Sequence, residues 1–212
     1  MRQGSRPTIR DVAASAGVSL TTVSYVLSGR PGGTTRISQP TQDRVHAAVR
    51  ELGYVPNGAA RGMRRGRTDI VAVAVPDLEE PRDRALAAAV ARILPRHRYQ
   101  PVILLGESWR RFMLSGGADG MILGLRGQDD GDAEALAELA VRGVAQLVIS
   151  DTLQPAGFEV LAPGAGPGVP GAVPAEALAE WAAALAERAV ALLLDRLEGK
   201  SPAEGGRADV GD

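Results

Sequence analysis

The sequence predicts an α plus α/β chain: a three-helix N-terminal module followed by a doubly wound parallel-sheet lobe that is cut short. Three observations predict it. Positive charge is concentrated in the first third of the chain. Helix caps and apolar residues at helical spacing recur through residues 8–53. Beyond residue 68, apolar strand-like runs alternate with helical stretches until a Pro/Gly-rich segment at 163–174 interrupts them.

The 212 residues are 45% apolar, 23% charged and 3% aromatic, a globular balance rather than a disordered one. The net charge of −1 hides a split. Residues 1–67 hold 11 arginines, no lysine and three acids (Asp11, Asp43, Glu51), a balance of +8, against −9 for residues 68–212. A basic module on an acidic remainder points to nucleic-acid binding by the first part. With no cysteine, disulfides, thiolate metal sites and a cysteine nucleophile are excluded. His46 and His97 are the two histidines, too few for most zinc or histidine-based chemistry. No apolar run approaches the roughly 18 residues of a membrane helix. The first seven residues lack the apolar core of a secretory signal, so a cytoplasmic, nucleoid-associated protein without membrane contact is expected.

Thr8 is placed to cap a first helix, with Asp11 three residues on, and Ile9, Val12, Ala13 and Ala16 share one helical face. Gly17 turns the chain, and Ser19 caps a second helix in which Val23, Val26 and Leu27 face inward. Two short helices joined by Ala16-Gly17-Val18-Ser19 form a helix-turn-helix, whose second helix enters a major groove. Ser38 caps a third helix with Pro40 in its first turn; Val45, Ala48, Val49 and Leu52 are its apolar face, and Gly53 ends it.

Thr8-Ile9-Arg10-Asp11-Val12-Ala13, Ala16-Gly17-Val18-Ser19, Thr22-Val23-Ser24 and Glu51-Leu52-Gly53-Tyr54-Val55-Pro56-Asn57 together resemble the lactose-repressor (LacI/GalR) family, almost continuously over residues 6–67. The resemblance implies a helix-turn-helix DNA-binding domain at 1–56 and a hinge helix or linker at 57–67. Base contacts fall on Leu20, Thr21 and Tyr25. Leu20 has no hydrogen-bonding group and can only pack, for instance on a thymine methyl, whereas Thr21 can donate or accept. Backbone contacts fall on Thr8, Arg10, Ser19, Thr22, Ser24, Tyr54 and Asn57, which set register rather than sequence preference. Ala60, Arg61 and Met63 take the hinge positions that meet the minor groove, with Met63 as the apolar wedge. Arg30 and Arg36, in a long Gly-rich loop, and Arg61, Arg64 and Arg65 are further phosphate-neutralising groups.

The later segments are read the same way. Asp69–Pro76 is a buried strand, Arg84–Leu94 a helix, Pro101–Leu105 and Gly120–Gly124 strands, Asp132–Arg142 a helix, and Ala145–Ser150 and Phe158–Leu161 strands. These form a truncated α/β effector-type lobe over 68–162. Residues 163–174 are a linker without packing capacity, 175–199 a returning helix with Leu178, Trp181, Leu185, Leu192 and Leu193 on one stripe, and 200–212 a disordered tail. Gly166, Gly168 and Gly171 fit a dinucleotide-binding string, but the prolines and the missing strand–helix context exclude that reading. The resemblance implies the first lobe alone of a periplasmic-binding-protein-like pair, so an effector is not expected at the usual cleft. No cofactor, catalytic set or metal site is expected. Partners are a double-stranded DNA operator and a second copy of the chain. A ligand-responsive sensor with a small-molecule site in the shortened lobe is the alternative. An enzyme reading rests only on Asp77, Glu79, Asp119 and Asp151 near strand ends, and a lobe that does not fold is the remaining one.

Overall fold

The computed structural model describes residues 7–28, 37–55, 66–124, 132–164, 166, 174–202 and 204–210. The chain divides into two compact units, Met1–Arg61 and Gly62–Asp212.

In the first unit, α1 (Ile9–Ala16), α2 (Leu20–Ser28) and α3 (Gln39–Leu52) form a small helical module. Asp11 Oδ2 accepts the Thr8 N–H at 2.7 Å and the Thr8 hydroxyl at 2.8 Å, which starts α1. Gly17 sits at φ 63°, and the Val18 N–H returns to the Ala13 carbonyl at 3.1 Å, so the helix ends within one residue. Gly53 at φ 61° closes α3 in the same way. Val12, Val23 and Val45 are fully buried, with Ala13, Ala16 and Ala48 beside them. Each such valine contributes about 1.5 kcal/mol or more of burial, a modest core for a module of this size.

The second unit is a parallel six-stranded sheet of order β2-β1-β3-β4-β5-β6. Its strands are β1 (Ile70–Val75), β2 (Gln100–Leu105), β3 (Gly120–Leu123), β4 (Ala145–Ile149), β5 (Glu159–Ala162) and β6 (Arg207–Asp209). The helices are α4 (Pro81–Ile93), continued by a 3₁₀ turn at Leu94–His97, then α5 (Ser108–Leu114), α6 (Ala133–Val141) and α7 (Ala175–Leu197). The alternation of Val and Ala in β1 sorts the two faces. Val71 and Val73 join Leu86, Val90 and Leu94 and the α7 residues Leu185 and Leu193. Ala72 and Ala74 join Trp109 and Met113 of α5 and Leu136 and Leu139 of α6. Helices on both faces make the sheet doubly wound, as the alternation of elements predicts. The returning helix α7 lays Ala182, Ala186 and Ala189 against the sheet, small residues that allow close approach.

Three expectations change. The segment 200–212 is not a disordered tail where it is described. Residues 207–209 extend the sheet as β6, with Val160, Leu161 and Ala162 opposite Arg207, Ala208 and Asp209. The Glu159 carboxylate holds it there, accepting the Gly206 N–H at 2.7 Å through Oε2 and Arg196 Nη1 at 3.1 Å through Oε1. The 163–174 linker also packs at its start: Pro163 O accepts the Trp181 indole N–H at 3.0 Å, and Arg82 lies over the Trp181 ring. Finally, α5 and the 3₁₀ turn add elements at segments not read as structured. Trp109 and Met113, one helical turn apart, are the signal for α5, but seven residues are too few for a legible period.

Among the described residues no helix is long and apolar enough to cross a membrane.

Candidate nucleic-acid interface

Helix α2 separates its residues by face. Val23 is fully buried, and Val26 and Leu27 pack on the module core. Ser19, Leu20, Thr21, Ser24 and Tyr25 are exposed on the other side. Leu20 is 44% and Tyr25 38% accessible, so the two largest side chains of this face lie outside the core. A leucine at the first turn of a helix, with space around it, is positioned to make apolar contact with a partner.

The hydroxyls at the start of α2 hold one another. Ser19 Oγ accepts the Thr22 N–H at 3.1 Å and lies 2.9 Å from Thr22 Oγ1. This caps the helix and fixes both hydroxyls in one place, at the positive end of the helix dipole. Thr8 spends its N–H and hydroxyl proton on Asp11. Those hydrogen bonds, the backbone one first, hold the Asp11 carboxyl below its usual range. Arg10 is exposed on α1, and Tyr54 is half-buried against the module core. Asn57, Ala60, Arg61 and Met63, with Arg30, Arg36, Arg64 and Arg65, lie outside the described residues.

The charge of the module is distributed in a way the total conceals. Residues 7–28 and 37–55 contain Arg10, Arg44 and Arg50 against Asp11, Asp43 and Glu51, a balance of zero. The positive excess of the N-terminal third therefore belongs to residues 1–6, 29–36 and 56–67. Helix α2 itself offers hydroxyls, a phenol and a leucine rather than cations.

The four carboxylates suggested for a catalytic alternative do not all lie at one end of the sheet. Asp77 Oδ1 accepts the Glu79 N–H at 2.8 Å, and the Asp77 N–H donates to the buried Asp83 at 3.1 Å, a self-contained turn after β1. Asp151 follows β4, where its backbone carbonyl accepts Arg207 Nη2 at 2.9 Å. Asp119 precedes β3 and so lies at the opposite, amino-terminal end of the strands, against Thr68 and Asp69. Ligands of open α/β sheets bind at the carboxyl ends, which excludes Asp119 from that set.

Residues 8–57 match the family described as bacterial regulatory proteins, lacI family. The maltose regulon regulatory protein MalI of Escherichia coli K12 is 37% identical over 146 residues, which are 65% of this chain and 41% of that protein. MalI of Vibrio furnissii is 35% identical over 109 residues, 51% of this chain and 77% of that one. A crystal structure of the lac repressor dimer bound to operator superposes with a TM-score of 0.60 at 22% identity, over 97% of this chain and 66% of that chain. That likeness concerns the fold. The chain spans about two-fifths of the length of the E. coli relative.

Proposed function

We propose that this chain, which belongs to the lacI family of bacterial regulatory proteins, is a sequence-specific DNA-binding transcriptional regulator, a repressor that holds a pseudo-palindromic operator as a dimer. It is a regulatory protein and not an enzyme. The carrying observation is the outward face of α2, with Leu20, Thr21, Ser24 and Tyr25 exposed while Val23 anchors the helix from behind.

In this reading α2 enters the major groove. Leu20 packs on a thymine methyl, and Thr21 and Tyr25 hydrogen-bond to base edges. Thr8, Arg10, Ser19, Thr22, Ser24, Tyr54 and Asn57 meet the sugar–phosphate backbone. Ala60, Arg61 and Met63 reach the minor groove, where Met63 wedges between base pairs at a flexible pyrimidine–purine step. The second copy pairs through the hinge segments and the lobe. Ile103 and Leu105, 37% and 50% accessible on the edge strand β2, support a lobe contribution. The protein works in the cytoplasm on nucleoid DNA.

Selection of binding sites from randomised duplexes by the full chain, followed by footprinting, tests this reading. A two-fold-related site protected on both halves is expected, with the chain sedimenting as a dimer on it. Met63→Ala should weaken the selected site more than a scrambled duplex. No sequence preference at ordinary ionic strength rejects the reading.

A further inference from the structure

The lobe begins at residues 66–70, where one carboxylate from the residue just before β3 gathers the chain. Asp119 lies 51 residues from Thr68 in sequence and its side chain is 9% accessible. Its Oδ1 accepts the Thr68 N–H at 2.5 Å and the Thr68 hydroxyl at 2.8 Å. Its Oδ2 accepts the Asp69 N–H at 2.9 Å and has Arg67 Nε 3.9 Å away. The Arg67 guanidinium also lies over the Tyr99 ring and donates to the Tyr99 hydroxyl. Thr68 Oγ1 in turn accepts the Ile70 N–H at 3.1 Å, and Asp69 O accepts the Gln100 N–H at 2.8 Å.

This is more than joining β1 to the sheet requires. A strand needs only its ladder, and β1 has one toward β2 from Ile70 and toward β3 from Val71. The extra bonds act on residues before the strand, and they impose a bend. Gly66 stands at φ 64° and Asp69 at φ 58°, two left-handed residues around Arg67 and Thr68. A non-glycine residue holds that conformation where its surroundings over-determine it.

We propose that Asp119 is a positioning residue for DNA recognition: by clamping Arg67, Thr68 and Asp69 it sets the direction in which the linker leaves the lobe. The inference rests on the DNA-binding reading above. A linker whose root is fixed has fewer directions to sample before it is placed on a duplex, so the clamp favours the bound state without touching DNA. Removing it should lower affinity for the correct site, where the linker must be placed, and leave loose electrostatic association unchanged.

The test uses the full chain and a site that the native protein has selected from randomised duplexes. Native chain, Asp119→Asn, Thr68→Val and Arg207→Ala are titrated with that site and with a scrambled duplex at one salt concentration. Thermal unfolding of each is followed in parallel. Asp119→Asn turns an acceptor toward three donors into an amide, and its discrimination ratio should fall about tenfold, the loss expected from one charge-assisted hydrogen-bond set. Thr68→Val keeps both main-chain bonds to Asp119 and should lose less, in the same direction, so the comparison survives if Asp119→Asn does not fold. Arg207→Ala destabilises the far edge of the same sheet and should keep native discrimination. Native discrimination in Thr68→Val and in folded Asp119→Asn overturns the proposal, as does an equal loss in Arg207→Ala at matched stability. A native chain that selects no site overturns the DNA-binding reading itself, a result distinct from either.

Discussion

Glu159 and Arg196 form a buried ion pair, 3.1 Å apart, with 7% and 13% of their side chains accessible. The pair lies where β5, α7 and the chain leading to β6 meet. Arg196 also donates to Pro202 O at 3.0 Å and to the Gly157 carbonyl. The Glu159 and Gly157 bonds tie the returning helix to β5, and the Pro202 bond ties it to the chain that leads to β6.

Breaking the pair from one side should be costly, because it leaves a charge in a dry site. Arg196→Met is expected to destabilise the lobe by about 3 kcal/mol, the usual scale for an orphaned buried charge. For a unit of this size that corresponds to a fall in Tm of roughly 6–12 °C. Calorimetry of the full chain measures it. A change confined to the transition of the N-terminal module contradicts the assignment.

Gly205 has the closest backbone approach in this region. A Cβ built on it would lie 1.9 Å from the Phe158 carbonyl oxygen, and its φ is +81°. Gly205→Ala should release β6 from β5 while the other strands persist. Limited proteolysis should then cut between residues 200 and 210 faster than in the native chain, by about the factor by which the strand's open population rises. Unchanged protection speaks against a required glycine.

The start of α1 carries a pH signature. Hydrogen bonds from the Thr8 N–H and hydroxyl hold the Asp11 pKa below its ordinary value. A carboxyl depressed in the folded state adds stability that is present above its unfolded pKa of about 3.9 and is lost as pH falls through the folded value. The N-terminal module should therefore lose stability on acidification below about pH 4, where the unfolded carboxyl begins to take up protons first. Asp11→Asn should remove this component of the loss. Helical circular dichroism in a thermal series across that range tests it, and identical acid profiles for both proteins refute it.

Salt dependence should separate affinity from sequence preference. Helices α1, α2 and α3 are charge-neutral, and the excess arginines of the N-terminal third flank them in sequence. Replacing Arg61, Arg64 and Arg65 with Gln should flatten the log–log salt slope by about 2.7 if each meets one phosphate. The selected base preferences should not move. Thr21→Ala or Tyr25→Ala should do the reverse, altering the preferred bases with little change in slope. Binding isotherms at several salt concentrations on matched and mismatched duplexes decide it.

Much of the N-terminal module was legible because its signals are local. Thr8 meets Asp11, and Ser19 meets Thr22, three residues away. Gly17 and Gly53 stop their helices through bonds closed within the last turn. The buried run in β1 and the Leu185 and Leu193 stripe of α7 were legible as well, since apolar spacing survives in any window of the chain. The candidate site was legible only through the family resemblance, which implies Leu20, Thr21 and Tyr25; their exposure beside the buried Val23 shows only in three dimensions.

By itself, then, the sequence determined the three helices and their turn and the parallel character of the lobe, consequences of short-range hydrogen bonding and periodic burial, while its ordered motifs carried the resemblance to the family. Tertiary structure alone decided that Arg207–Asp209 is a strand, that Asp119 serves the entry of the chain rather than a ligand edge, and that the Pro163 end of the linker packs. Those outcomes depend on partners 18 to 51 residues distant, such as Trp181 for Pro163, Glu159 for Gly206 and Thr68 for Asp119. No local propensity encodes such contacts. Their energy exists only after the sheet has brought the two ends of each loop together.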